Sequence, residues 1–241
     1  MINPLIQTRV NPSSIDCVLF DLDGTLIDTT DLIFRSYQHA LRTILDRSAT
    51  DEELYLGYGQ PLPQAFGEIL SHQGLAYSEP EYSDVVQRLI TAYRTFNLEH
   101  HDALAREFPG VRLTIAELAR RGYTLGLVTS KSRSIAKRGL AFIGLLDTLH
   151  ASIFMEDTAR HKPHPDPVLA ALNRLFLHDR RAQTLFIGDS THDLIAGRAA
   201  GVRTGAAMWG PFPAASLLAL QPDHVFTTIE DVLELCPVRK S

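Results

Sequence analysis

The nine residues Val18-Leu19-Phe20-Asp21-Leu22-Asp23-Gly24-Thr25-Leu26 constrain what this chain can fold into more than any other stretch. An apolar run of strand formers leads directly into two carboxylates, a glycine and a threonine, so groups that seek water stand where a buried strand would emerge. In open α/β sheets that is where ligands bind. The pattern recurs downstream. Strand-like runs at 124–129, 151–154, 184–188 and 204–208 alternate with helical stretches at 111–121, 166–176 and one ending at Gly201, and 225–226 with a helix at 229–235 completes the series. Such alternation predicts an α/β fold, a Rossmann-like parallel sheet with helices on both faces.

One stretch breaks the alternation. Between the first strand and Phe108-Pro109-Gly110 the chain carries only helical signals. A first helix is expected from near Asp31, with Ile33, Tyr37, Ala40, Leu41, Ile44 and Leu45 on one face. Thr50-Asp51-Glu52-Glu53 has the form of a capping box and opens a second. Pro61 opens a third, and a long fourth runs from about Glu79 past Tyr93. Helices without strands, flanked by α/β sequence, predict an inserted helical layer: 1–28 and 106–241 form the core and 29–105 the insertion. Residues 1–16 read as a loose lead-in.

Composition narrows the function classes. A hydrophobic content of 45%, a charged content of 21% and a net charge of -5 describe an ordinary globular chain with no basic stripe, which argues against nucleic acid and anionic membrane as partners. Cys17 and Cys236 are expected as free buried thiols in a reducing compartment. No apolar run spans a bilayer and no basic segment precedes an apolar one at the start, so a cytoplasmic monomer or homodimer is expected.

The chemistry-bearing residues stand at the ends of the predicted strands. Asp21 and Asp23, at i and i+2, repel one another unless a cation or a proton lies between them. A hard, oxygen-seeking metal would let Asp21 bind with one oxygen and attack with the other, leaving Asp23 to carry protons. The second core strand ends in Thr129-Ser130 at a helix start holding Lys131 and Arg133, which reads either as an anion site or as simple N-capping. Lys162 stands in the proline-rich His161-Lys162-Pro163-His164-Pro165, where a stiff backbone would hold its ammonium in place. The two flanking histidines read as loop residues. Asp189 ends the strand at 184–188, and Asp193 follows one helical turn later, placed to support a metal or to pair with Lys162.

In chain order, Asp21 and Asp23, Thr129, Lys162, and Asp189 with Asp193 resemble the four motifs of the haloacid dehalogenase superfamily, and the helical insertion resembles its small α-helical cap. That resemblance implies a phosphatase reaction through an aspartyl-phosphate at Asp21, with Asp23 as proton donor and then base. It implies Mg2+ bound by a carboxylate oxygen of Asp21, the backbone carbonyl of Asp23 and Asp189, supported by Asp193. It further implies that Thr129, the adjoining Ser130 and Lys162 hold the phosphoryl oxygens. Within the superfamily the chain looks like the phosphoglycolate phosphatase group, and Asp28-Thr29-Thr30-Asp31-Leu32-Ile33 with Gly59-Gln60-Pro61-Leu62 also resembles a bacterial inorganic pyrophosphatase of that group. The expected substrate is thus a small phosphorylated metabolite, phosphoglycolate-like, or pyrophosphate. The loop 58–62 is either the reader of the leaving group or a plain interhelical turn. A sugar phosphomutase uses the same four motifs and is the alternative, and a noncatalytic phospho-acceptor module leaves Asp23 without a task.

Overall fold

The computed structural model describes residues 15–238, so most of the expected lead-in lies outside the described residues. The first described strand lies in the interior of the sheet. Strand β1 (Cys17–Phe20) is followed by a tight loop and a two-residue strand β2 (Ile27–Asp28), and then by four helices: α1 (Thr30–Leu45), α2 (Asp51–Gly57), α3 (Leu62–His72) and α4 (Glu81–Leu104). Strand β3 (Arg106–Glu107) pairs antiparallel with β2, tying together the two connections to the insertion. The core resumes with α5 (Val111–Arg120), β4 (Thr124–Val128), α6 (Arg133–Phe142), β5 (Ala151–Ile153), α7 (Asp166–Arg174), β6 (Thr184–Gly188), α8 (Thr191–Ala200), β7 (Arg203–Ala207), α9 (Ala214–Ala219), β8 (His224–Phe226) and α10 (Val232–Leu235).

The large sheet has the order β5-β4-β1-β6-β7-β8 with every pairing parallel. From β1 the chain builds outward on one side and then crosses to build on the other. The order reverses at β1, and such a switch point opens a crevice at the C-terminal ends of the strands.

Side-chain alternation sorts each strand between two cores. Val18, Phe20, Leu125, Leu127, Leu185 and Ile187 face one side, with Val111, Ile115 and Leu118 of α5, Leu140 of α6 and Val232 of α10. Cys17, Leu19, Val128 and Phe186 face the other, with Val168, Ala171 and Leu172 of α7 and Ala196 and Ala200 of α8. Both cysteines are buried and outside any disulfide, as expected, and burial pushes the Cys17 thiol up to about 12. No described helix is long and apolar enough to cross a membrane.

The insertion has its own core, built from Tyr37, Ala40 and Leu41 of α1, Leu54 of α2, Phe66, Ile69 and Leu70 of α3, and Leu89, Ile90 and Tyr93 of α4. The expected capping box is present: Thr50 Oγ1 accepts from Glu53 N at 3.3 Å, and Glu53 Oε2 accepts from Thr50 N at 2.7 Å. Contacts that seat the insertion on the core include two built from aromatic and charged side chains. Phe212, in the loop after β7, meets Tyr55 and Tyr58 edge-on at centroid distances of 6.1 and 5.6 Å. Arg138 of α6 donates to Asp102 Oδ2 at 3.0 Å and to the Leu98 carbonyl at 2.9 Å on α4.

Three local features emerge only in the structure. Asp166 lies inside α7, with Pro165 at the cap, and its carboxylate takes Arg160 instead of the helix amides. Neither Thr129 nor Ser130 caps α6; Ser132 occupies that position, and the first amide, Arg133 N, is satisfied by Glu156. The helix α9 carries no apolar period long enough to be read from sequence.

Candidate active site

The first strand ends at Phe20, and Asp21 is the first residue past it, tied down by its amide to the Ile187 carbonyl at 2.9 Å. Asp189 and Asp193 come from the end of β6 and the first turn of α8. Carboxylate oxygens of Asp21, Asp189 and Asp193 lie within 4.8 Å of one another, all three residues buried. Lys162, 4% exposed, donates from Nζ to Asp21 Oδ1 and Asp193 Oδ1, each at 2.6 Å. The expected pairing of Asp193 with Lys162 is thus present, and so is its helix-terminal role: Asp193 completes a capping box with Ser190.

Three buried carboxylates against one ammonium leave this cluster short of positive charge. Burial pushes Asp21 up to about 7, with Lys162 opposing the shift and Asp193 and Asp23 adding to it. Burial likewise lifts Asp189 well above the carboxylate range, reinforced by Asp193 and Asp21. For Lys162 burial favours the neutral amine, but the two aspartates outweigh it and hold the ammonium above the usual lysine value. A cation is the natural complement.

The residues fit one. The donor set is all oxygen, suited to a hard divalent ion. Asp189 Oδ1 accepts from Thr25 Oγ1 at 3.2 Å, whereas its buried Oδ2 has no hydrogen-bond partner. Glycines make room around that carboxylate: a Cβ on Gly24, whose φ is +79°, would lie 2.2 Å from Asp189 Oδ2, and one on Gly210 2.2 Å from Asp189 Cβ. The candidate group contains neither His161 nor His164.

Asp23 goes elsewhere. Because the strand has ended, Asp21 and Asp23 do not share a pleat. The loop folds back so that Gly24 N reaches the Ile27 carbonyl at 2.9 Å, and the Asp23 carboxylate turns to Lys131 Nζ and Thr29 Oγ1. The cation that meets Asp23 is therefore a lysine from the β4–α6 connection. Thr129 Oγ1 accepts from Lys131 N at 3.1 Å, and Ser130 Oγ is buried without a partner.

A cavity of about 80 Å³ opens over these groups, between the sheet and the insertion. Asp21, Asp23, Thr129, Ser130, Lys131 and Lys162 line it from the core; Tyr37, Gly59, Gln60, Leu62, Arg94 and Asn97 line it from the insertion. The loop 58–62 therefore does border the site. The pairing of Lys131 with Asp23 and the places of Arg94 and Gly210 at the site escaped the sequence reading, since each depends on segments remote in the chain coming together.

Known proteins resemble this chain in sequence and in fold. Residues 18–207 match the haloacid dehalogenase-like hydrolase family. A Bacillus cereus protein named pyrophosphatase PpaX is 35% identical over 221 residues, 92% of this chain and 96% of its own, and a Bacillus mycoides protein of the same name gives the same figures. The crystal structure of a predicted phosphoglycolate phosphatase from Haemophilus somnus superposes with a TM-score of 0.80 over 92% of this chain and 98% of that one, at 23% identity, a likeness of fold. With the motifs, the parallel sheet and its helical insertion all in agreement, the chain belongs to the haloacid dehalogenase-like hydrolase family.

Proposed function

We propose that this protein is a magnesium-dependent phosphatase that hydrolyses a small phosphorylated compound, with inorganic pyrophosphate as its preferred substrate and Asp21 as the nucleophile. The observation that carries the reading is the buried group of Asp21, Asp189 and Asp193 with Lys162 at the switch point of the sheet. Asp21, Asp189 and the backbone carbonyl of Asp23 would hold magnesium, with Asp193 in support, and the ion would neutralise charge on the phosphoryl oxygens.

The chain's own groups account for the remaining chemistry. A carboxylate oxygen of Asp21 attacks phosphorus, the bond from phosphorus to the leaving oxygen breaks, and Asp23 supplies that oxygen with a proton. Asp23 then takes a proton from water, the water oxygen attacks phosphorus, and the acyl-phosphate bond breaks to restore Asp21 and release phosphate. Lys162, Thr129 and Ser130 hold the transferring oxygens, the positioning on which phosphoryl transfer depends. Residues 29–105 act as the cap domain over this centre.

One observation favours pyrophosphate over the other small phosphorylated compounds: relatives at 35% identity carry the name pyrophosphatase. The test is phosphate release by purified protein from pyrophosphate, phosphoglycolate, glucose 1-phosphate and a nucleotide, with magnesium and with excess chelator. Pyrophosphate should give the highest kcat/KM, and chelator should abolish release. Preference for another member reassigns the substrate, and isomerisation of the sugar phosphate without release supports the mutase.

A further inference from the structure

The cavity carries more positive charge than the reacting centre uses. Lys162, Lys131 and Arg94 line it. Lys162 is committed to Asp21 and Asp193, and Lys131 to Asp23. Arg94 has no ion pair or hydrogen bond with any described residue, so of these three lining cations its guanidinium is the one without a carboxylate partner among the described residues.

Its position is fixed by the helix that carries it. Arg94 follows buried Tyr93 on α4 and precedes by one turn Asn97, which is 2% exposed and donates from Nδ2 to Ser36 Oγ on α1 at 3.2 Å. Tyr37 and Phe66 pack on the Tyr93 ring at 4.8 and 6.2 Å. The helix backbone at Arg94 is thereby anchored, while the side chain stays exposed at the wall contributed by the insertion. Asp21 and Lys162 belong to the opposite, sheet-derived wall.

We propose that Arg94 determines specificity for the leaving group: its guanidinium takes a second anionic group of the substrate, the one that departs, while Asp21 attacks the first. The inference rests on the phosphatase reading above. A guanidinium presents paired N–H donors that match two oxygens of a phosphate or carboxylate, a geometry a lysine lacks. Substrates ending in an anion are then retained, and a monoester whose leaving group is uncharged gains nothing from this residue.

The test compares wild type, Arg94→Ala and Arg94→Lys on pyrophosphate, phosphoglycolate and p-nitrophenyl phosphate. In Arg94→Ala, kcat/KM for the substrates with an anionic leaving group should fall about tenfold to a hundredfold relative to that for p-nitrophenyl phosphate, and Arg94→Lys should recover only part of the loss. A fall in pyrophosphate relative to phosphoglycolate assigns the departing anion as phosphate; the reverse assigns it as carboxylate. A ratio within about twofold of wild type makes Arg94 a solvated surface residue and overturns the proposal. Calorimetric binding of methylenediphosphonate with magnesium separates this outcome from failure of the phosphatase reading. If wild type turns over none of the three, that reading fails, and the proposal then stands or falls on whether Arg94→Ala weakens diphosphonate binding at least about tenfold.

Discussion

Replacing Asp21 by Asn is expected to abolish turnover, by a factor on the order of 10⁴ or more, while the protein folds at least as stably as wild type in the presence of chelator. The two halves of that expectation have different origins. An amide is no nucleophile toward phosphorus, so the covalent route closes. The fold, by contrast, loses a liability: burial has pushed Asp21 from 3.8 to about 7, so an ionised Asp21 at higher pH subtracts from stability what a neutral group would keep. The amide oxygen still accepts from Lys162, which sits 2.6 Å from Asp21 Oδ1. Steady-state phosphate release and urea unfolding measure the two effects. Wild-type rates in this variant would remove Asp21 from the mechanism, and a large loss of stability would mean that its charge is needed for folding.

Lys162→Met is expected to act on stability and activity together. Its ammonium is the buried countercharge of Asp21 and Asp193, with side-chain exposures of 2%, 8% and 1% for the three residues. Methionine fills similar volume without charge, so two buried carboxylates lose their partner, and removing one member of such a group costs about 3–5 kcal/mol. Against a total stability of roughly 5–15 kcal/mol this is a large fraction. Activity should fall about 10²–10³-fold as well, the usual loss when one preorganised donor to a transition state is removed. Adding Asp193→Asn to Lys162→Met should restore part of the stability, because the two groups are in direct contact and their effects are coupled. Urea unfolding with chelator measures this cycle; a Lys162→Met variant as stable as wild type would show that the carboxylates find their compensation elsewhere.

Much of the fold is legible locally. The strand at 184–188 and the box at Thr50 are marked by periodicity and by pairs of residues three apart, and Gly122 and Gly201 mark helix ends at φ +79° and +76°. What is missed is either too short or too distant. Strands β2 and β3 have two residues each, too few to show a period, yet they fasten both ends of the insertion. The run of α4 to Leu104 is obscured by Glu99-His100-His101-Asp102, polar in sequence although His101 is 1% exposed.

The site divides in the same way. Asp21, Lys162, Asp189 and Asp193 are readable because each ends a strand or stands in a stiff loop, and the fold brings them together. The meeting of Lys131 with Asp23 is not readable, since 108 residues separate them and only the adjacency of β1 and β4 joins them. Gly210 is silent for a similar reason: its missing side chain matters only because the loop after β7 passes over Asp189.

The most direct test of the central claim is to mix wild-type enzyme, magnesium and pyrophosphate, quench in acid during turnover, and map the protein by mass spectrometry. A phosphoryl group on the peptide containing Asp21, absent from Asp21→Asn and lost on chasing with unlabelled buffer, is the predicted result. Rapid phosphate release with no such adduct at any quench time would mean that water attacks the substrate directly, and the covalent account would be wrong.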